Sequence, residues 1–369
     1  MKMKLAIVLS TFLVIFFTSA CETQVNINET EQQVDTERSN MPVVDPVTIR
    51  FGHAGPDDIT DQLHYGATTF ARKVSELSDG LMQVDIYPAA TLGHTPQLIE
   101  MLQDGTLHMG DIENAPMTAF IPEVMWSDLP YIIQSYEHAE AVFDARSSVS
   151  RWIRPIYIEN GFRVLGVYHT GFRHMMNDRN PIFRPVDMEG LIMRVMPSVV
   201  MMETLRAFGA EVVTIPFADV YSAILRGEIN GNEQPLGFVY SMNFYEVQPF
   251  LTMTGHFYNP RSYIFSEQLW QQLTPAQQLI LIEATEYAVE RMNEHHHANQ
   301  IIILHRIMAT GMRVTQLPSE NMNAFREVGA SVWPMFYEDI GSGNAARGSV
   351  ILDMILSYIP AETNDTNLD

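Results

Sequence analysis

Two arginines beside predicted strands have the chemistry to bind an anion. Arg173 follows Gly171-Phe172, and Arg194 lies within the apolar stretch 191–196. A guanidinium is planar and can donate two parallel hydrogen bonds to one carboxylate, which an ammonium group cannot do. A buried arginine also needs a partner, and this chain is rich in acids. For Arg194, which is expected to be partly buried among apolar neighbours, composition alone therefore favours a structural salt bridge with Asp or Glu.

The sequence carries no motif of a known catalytic or metal centre. It has no G-x-S-x-G nucleophile elbow, no glycine-rich phosphate loop and no H-E-x-x-H pair. The tract His295-His296-His297 falls within a predicted helix, where consecutive side chains point about 100° apart. Three neighbours cannot converge on one ion, and we interpret the tract as a solvated helix face. We expect no enzymatic activity, no metal and no cofactor.

Short β-rich segments alternate with amphipathic helices along the chain, which predicts an α/β fold. The predicted strands are 47–53, 82–87, 107–112, 163–168, 172–176, 191–195, 212–215, 250–256 and 261–265. The main predicted helices are 61–78, 96–103, 136–145, 149–159, 198–208 and 217–226. At a length of 369 residues, two lobes are expected rather than a single core.

One helix is predicted to be much longer than the others. Thr274-Pro275-Ala276-Gln277 provides an N-cap, a proline at the first position and a glutamine that closes a capping box. No helix breaker follows before Gly311. The resulting helix, 275–310, is about 54 Å long and can run across two lobes.

The N-terminus has the pattern of an export signal. Lys2 and Lys4 precede an apolar run of about 13 residues, too short for the roughly 20 that a spanning helix needs. Thr18-Ser19-Ala20-Cys21 resembles a lipobox, although an ordinary secretory signal with an incidental cysteine is the alternative. We therefore predict a lipoprotein-type signal at 1–20, lipidation of Cys21 and a flexible acidic tether at 21–45.

The charge balance excludes several classes of protein. Lys+Arg 22 against Asp+Glu 44 gives a net charge of −22, so the protein lacks the basic surface that nucleic acid requires. The single cysteine excludes an internal disulfide framework and a zinc ribbon. We expect an exported monomer that binds no nucleic acid.

A set of motifs, each weak alone, occurs in the order and spacing of one family. The motifs are Gly171-Phe172-Arg173, Glu189-Gly190-Leu191-Ile192-Met193-Arg194-Val195, Pro216-Phe217-Ala218-Asp219-Val220-Tyr221, Gly231-Asn232-Glu233-Gln234-Pro235 and Phe244-Tyr245-Glu246-Val247. Through them the chain resembles the DctP-type solute-binding proteins of TRAP (tripartite ATP-independent periplasmic) transporters over about residues 47–340.

The resemblance implies a two-lobed periplasmic-binding-protein (clamshell) fold with a long bracing helix across both lobes. On this basis lobe I comprises 46–169 plus about 257–275, lobe II comprises 170–256, the bracing helix is 275–310 and a C-terminal helical segment is 311–369. The solute lies in the cleft between the lobes and is delivered to a membrane permease.

The resemblance also implies the residues of the site. Arg194 matches the arginine that pairs with the solute carboxylate, Arg173 a second carboxylate-binding arginine, and Phe217 an aromatic that packs on the solute. Gln234 stands where the family usually has asparagine. Glu113, Asn114 and His53 match polar positions that face the solute in sugar-acid binders, with a structural capping role as the alternative for the first-lobe residues.

Several functions stay open at this level. The solute is a sugar acid such as a uronate, or a C4-dicarboxylate or other small organic acid. A sensory receptor that presents the same ligand to a chemoreceptor or sensor kinase is the second class of function. An exported hydrolase is the third, although the sequence has no recognisable nucleophile–base set.

Overall fold

The computed structural model describes residues 45–360. The predicted signal at 1–20, Cys21, nearly all of the tether at 21–45 and the chain end 361–369 lie outside the described residues. No helix of the described part is both long and apolar enough to cross a membrane.

Nine strands of the described chain form one mixed sheet in the order β2-β1-β3-β8-β4-β7-β5-β6, with β9 also paired to β8. The strands are β1 (Val47–Gly52), β2 (Met82–Tyr87), β3 (Met109–Glu113), β4 (Phe162–Asn177), β5 (Ile192–Val195), β6 (Glu211–Thr214), β7 (Gly231–Pro235), β8 (Phe250–Ser266) and β9 (Arg313–Gln316). The part of the sheet formed by β1–β3 is called the first lobe below, and the part formed by β5–β7 with β9 is called the second lobe. The two long strands β4 and β8 pair antiparallel and run through both.

The long strands correct the sequence analysis, which predicted two separate strands for each of them. Gly171 has a φ of 99°, and Pro260 lacks a donor, so each sequence contains a local breaker. The pairing nevertheless continues through both, with a register shift between His169 and Phe172. The Thr170 hydroxyl donates to the Asn259 carbonyl at 2.7 Å and bridges the irregular stretch.

The helices pack on both faces of the sheet and cover its apolar side chains. They are α1 (Gln62–Leu77), α2 (Thr95–Gln103), α3 (Asn114–Met117), α4 (Tyr136–Phe143), α5 (Ser148–Glu159), α6 (Val199–Ala207), α7 (Val220–Leu225), α8 (Leu236–Ser241), α9 (Glu267–Trp270), α10 (Pro275–Ala309), α11 (Ser319–Ala330), α12 (Tyr337–Ile340) and α13 (Ala345–Leu356). Short 3-10 turns occur at Pro122–Asp128, Pro185–Met188, Phe217–Asp219, Phe244–Glu246 and Trp333–Phe336.

The long helix α10 starts where its sequence predicts. The Gln277 amide donates to the Thr274 hydroxyl, and the Thr274 amide donates to the Gln277 side chain at 2.8 Å, which completes the capping box. Leu281 and Met292 of its first half pack in the core of the first lobe. Ile307 near its end packs in the core of the second. The helix therefore braces both lobes.

The interpretation of the histidine tract as a solvated face is wrong for one of its residues. His296 is 3% exposed, because it points from α10 towards β4 and α4. Its Nε2 lies 2.9 Å from the Tyr136 hydroxyl, and its Nδ1 lies 3.0 Å from the Gln300 amide nitrogen. His295 and His297 are exposed, because consecutive side chains on a helix point about 100° apart.

Candidate functional site

A cavity of about 190 Å³ lies at the carboxyl ends of the parallel strands. Its wall includes Ala54 after β1, Ala90 after β2, Glu113 at the end of β3, Arg194 of β5 and Thr214 at the end of β6. In open α/β sheets ligands bind at this edge, because the loops that leave the strands diverge there. The start of α2 (94–97) and the loop 214–218 complete the wall from the two lobes.

Unusual backbone geometry places Ala90 in the wall. Ala89 and Ala90 adopt left-handed φ angles of 53° and 52°, which a residue with a Cβ seldom adopts. The Ala89 amide donates to the Gly55 carbonyl at 2.7 Å, and the Ala90 amide donates to the His53 carbonyl at 3.2 Å. The loop after β2 is thus tied to the loop after β1.

Arg194 brings a buried positive charge to the cavity. The residue is 1% exposed, and its Nε donates to the Ile215 carbonyl at 2.7 Å. Within residues 45–360 its buried Nη1 has no hydrogen-bond partner, and no carboxylate lies within salt-bridge distance of the guanidinium. Burial and the nearby Arg173 lower the pKa of Arg194 to about 10, so it stays charged at neutral pH.

Arg173 is already paired within the protein. Its guanidinium donates from Nε and Nη2 to the Glu233 carboxylate, from Nη2 also to the Glu233 carbonyl at 2.6 Å, and from Nη1 to Asn259 Oδ1 at 3.0 Å. Both ionic side chains are buried, at 1% and 0% exposure. A structural salt bridge is thus found at Arg173 rather than at Arg194, for which composition favours it, and Arg173 does not line the cavity.

Glu113 lines the cavity from the first lobe and belongs to a polar network. Its Oε1 accepts from the Thr95 hydroxyl at 3.1 Å, and its Oε2 lies 2.8 Å from Arg261 Nη1. Arg261 also donates to Asp111 at 2.8 Å. The Asp111 carboxylate accepts a further bond of 2.6 Å from the Tyr168 hydroxyl. This network fixes the Glu113 carboxylate at the end of β3.

The structure brings only some of the other predicted residues to the cavity. Phe217 lines it and packs edge-on against Phe238. Gln234 is buried and does not line the cavity, and its Oε1 accepts a hydrogen bond from Arg173 at 3.2 Å. In the first lobe the Asn114 side chain donates a hydrogen bond to the Ser127 hydroxyl and accepts one from the Ser262 hydroxyl. His53 contacts His64 at 3.3 Å, and burial, with a contribution from His64, lowers the pKa of His53 to about 3.

Sequence reasoning missed part of the wall. His94, Thr95 and Gln97 at the start of α2 line the cavity. The sequence predicts the helix start at Pro96, one residue after the observed start at Thr95. A helix start that directly follows the loop after a parallel strand is the signal that could have found them.

Comparisons with known proteins agree with this architecture. Residues 51–339 match the model of the bacterial extracellular solute-binding protein family 7, DctP. The chain is 27% identical over 297 residues to the 2,3-diketo-L-gulonate-binding periplasmic protein YiaO of Escherichia coli (strain K12). The matched region covers 80% of this chain and 89% of that protein.

Two solved structures resemble the whole folded region. One is the sugar acid binding protein DctPAm from Advenella mimigardefordensis in complex with galactonate, with a TM-score of 0.80, 26% identity and coverage of 86% of this chain and 100% of that one. The other is a TRAP periplasmic solute binding protein from Sulfurospirillum deleyianum with bound succinate, with a TM-score of 0.78, 27% identity and coverage of 84% and 98%. The family match covers well over half of the chain, and the chain therefore belongs to the DctP-type solute-binding proteins of TRAP transporters.

Proposed function

We propose that this protein is the extracytoplasmic receptor of a TRAP transporter and binds a polyhydroxy monocarboxylate, that is, a sugar acid, in the cavity between its lobes. The observation that carries the proposal is the buried guanidinium of Arg194 in the cavity wall, which has no carboxylate partner within residues 45–360. An ionised group removed from water is costly unless it is paired and hydrogen-bonded. A carboxylate in the cavity supplies both a charge and acceptors.

The lining favours a solute with one carboxylate. Arg194 is the single arginine or lysine among the described residues of the wall. Arg173 is held by Glu233 and Arg261 by Asp111 and Glu113, so neither is free to pair with a second carboxylate. The Glu113 carboxylate itself faces the cavity and repels another anion.

The remaining polar groups suit hydroxyls. Glu113 offers acceptors, while His94, Thr95 and Gln97 offer both donors and acceptors. Phe217 presents an apolar surface on the opposite side of the cavity. The relatives that bind galactonate and 2,3-diketo-L-gulonate support this class of solute. The relative with bound succinate makes a C4-dicarboxylate the competing outcome.

The two long strands provide a route for closure. Lobe movement has to be absorbed where β4 and β8 cross between lobes, and their register is irregular there. Closure over the solute would change the outer surface of both lobes and thereby signal occupancy to the permease. We expect the exported protein to act in the periplasm as a monomer, with lipidated Cys21 as its membrane anchor.

Isothermal titration calorimetry with galactonate, galacturonate and succinate tests the proposal. A hydrogen bond to a charged group contributes about 1.5–3 kcal/mol. Loss of two such bonds in Arg194→Ala should therefore weaken sugar-acid binding by roughly 10²–10⁴-fold. Arg194→Lys keeps the charge without the planar guanidinium, and its solute affinity should lie between those of wild type and Arg194→Ala.

The matched control is Arg206→Ala, which removes an exposed arginine of the second lobe that pairs with Glu203 at 2.5 Å. Its solute affinity should equal that of the wild type. Unchanged affinity in Arg194→Ala would refute the role of this arginine. Tighter binding of succinate than of both sugar acids would refute the monocarboxylate assignment while leaving the receptor function standing.

A further inference from the structure

Three side chains from three different elements converge outside the solute cavity. Glu140 comes from α4, His169 from β4 and His297 from α10. His169 Nε2 lies 3.7 Å from Glu140 Oε1, and His297 Nε2 lies 3.4 Å from the same oxygen. All three ligand atoms lie within 4.8 Å of one another. Among the described residues, this is the one group of this kind.

These separations fit a tetrahedral metal ion. Zinc binds imidazole nitrogen and carboxylate oxygen at about 2.0–2.2 Å, so two ligand atoms in a tetrahedral site lie about 3.3–3.5 Å apart. Small side-chain rotations bring the observed distances into this range. Glu140 and His297 are 55% and 40% exposed, which gives an ion a route from solvent and leaves room for a water as the fourth ligand.

The orientation of His169 is an independent indication of a ligand. The residue is 4% exposed, and its buried Nε2 has no hydrogen-bond partner among the described residues. The ring is fixed from the other side, where Nδ1 bonds the Tyr258 hydroxyl. The His169 amide donates to Asn293 Oδ1 at 3.0 Å. A metal-binding histidine typically has this kind of support on its second nitrogen.

An ordinary hydrogen bond explains the cluster less well. The 3.7 Å separation between His169 and Glu140 exceeds hydrogen-bond length. The buried Nε2 of His169 is therefore left without a hydrogen-bond partner in the described part of the chain, and a bound ion would supply one.

We propose that Glu140, His169 and His297 bind a divalent transition metal ion of the zinc class. Two imidazoles and one carboxylate suit zinc better than calcium or magnesium, which prefer oxygen ligands. The site does not depend on the identity of the solute. It joins β4, beside the register shift at His169, to the bracing helix and to α4, so a bound ion would cross-link the structure where the lobes meet.

Calorimetric titration of ZnCl₂ into the purified protein, made without a histidine tag, tests the site. We expect one ion per chain and at least tenfold weaker binding in His297→Ala and in Glu140→Ala. The control is His305→Ala, which removes an exposed histidine two turns further along α10 and should leave zinc affinity unchanged. Both altered ligands are exposed, so the variants should keep the wild-type melting temperature in EDTA.

A spectroscopic measurement addresses geometry separately. Co²⁺ added in place of zinc should give the intense visible absorption of a tetrahedral site, and His297→Ala should abolish it. Stoichiometric zinc binding that is equally tight in wild type, His297→Ala and Glu140→Ala would overturn the proposal. Absence of binding to the wild-type protein would overturn it as well.

Discussion

Replacement of Glu233 by glutamine should destabilise the protein far more than loss of a single surface charge. Glu233 and Arg173 lie on the neighbouring strands β7 and β4, and the carboxylate accepts from two nitrogens of the guanidinium. Both side chains are almost completely buried. Glu233→Gln removes the negative charge and places an amide donor against an arginine that has donors only.

The magnitude follows from that burial. Removing one partner of a buried ion pair costs about 3–5 kcal/mol, because the other charge is left uncompensated in a region of low dielectric. The free energy of unfolding of a globular protein is only about 5–15 kcal/mol in total. The Glu233→Gln variant should therefore lose a large share of its stability. The matched control is Glu203→Gln, which breaks the part-exposed pair with Arg206 and should cost less than about 1 kcal/mol.

Urea denaturation followed by tryptophan fluorescence measures both losses. The expected result is a midpoint shift in Glu233→Gln several times that in Glu203→Gln, with similar slopes. Arg173→Met should be destabilised as well, and the double variant should lose less than the sum of the single variants. A loss in Glu233→Gln no larger than in the control would refute the assignment of Arg173 and Glu233 as a coupled pair.

Two further predictions concern pH and the crossing strands. Burial raises the pKa of Asp128 to about 7, against an ordinary value of 3.8, so its contribution to stability falls as pH rises from about 4 to about 7. The free energy of unfolding of Asp128→Asn, relative to that of wild type, should therefore rise by about 2–3 kcal/mol between pH 5 and pH 8. A difference in urea midpoints between the two proteins that is the same at pH 5 and at pH 8 would contradict this. Gly171→Ala places a Cβ 2.9 Å from His296 at a φ of 99° and should cost about 1–3 kcal/mol. Gly190→Ala, at a φ of 76° with open space around it, should lower the stability less. Equal falls in melting temperature for Gly171→Ala and Gly190→Ala would exclude the contact with His296.

The sequence predicted most of the elements because their signals are local. Strand β2 was placed at its observed ends, and α10 was placed within one residue at its end because the capping box at Thr274 and the glycine at 311 mark the two limits. These signals depend only on neighbours a few positions away along the chain.

The site was predicted less completely because it depends on pairing between distant segments. In the sequence Arg173 and Arg194 have the same features: each lies in or beside an apolar strand in an acid-rich chain. They differ because Glu233, 60 residues further on, binds Arg173 across β4 and β7, whereas Arg194 has no such partner among the described residues. No local pattern distinguishes the two. The same reason hid His296, which is buried because α10 places it against Tyr136 of α4 and Gly171 of β4.

One strand connects the ion pair, the lobe crossing and the proposed metal ligand. Within β4, His169 precedes the register shift and Arg173 follows it. Arg173 is fixed to β7 by Glu233, so the second-lobe end of the strand moves with that lobe. His169 is held by Tyr258 and Asn293. The proposed closure of the lobes would then be absorbed in β4 at Thr170, Gly171 and Phe172, and substitutions there should change solute affinity without touching the solute.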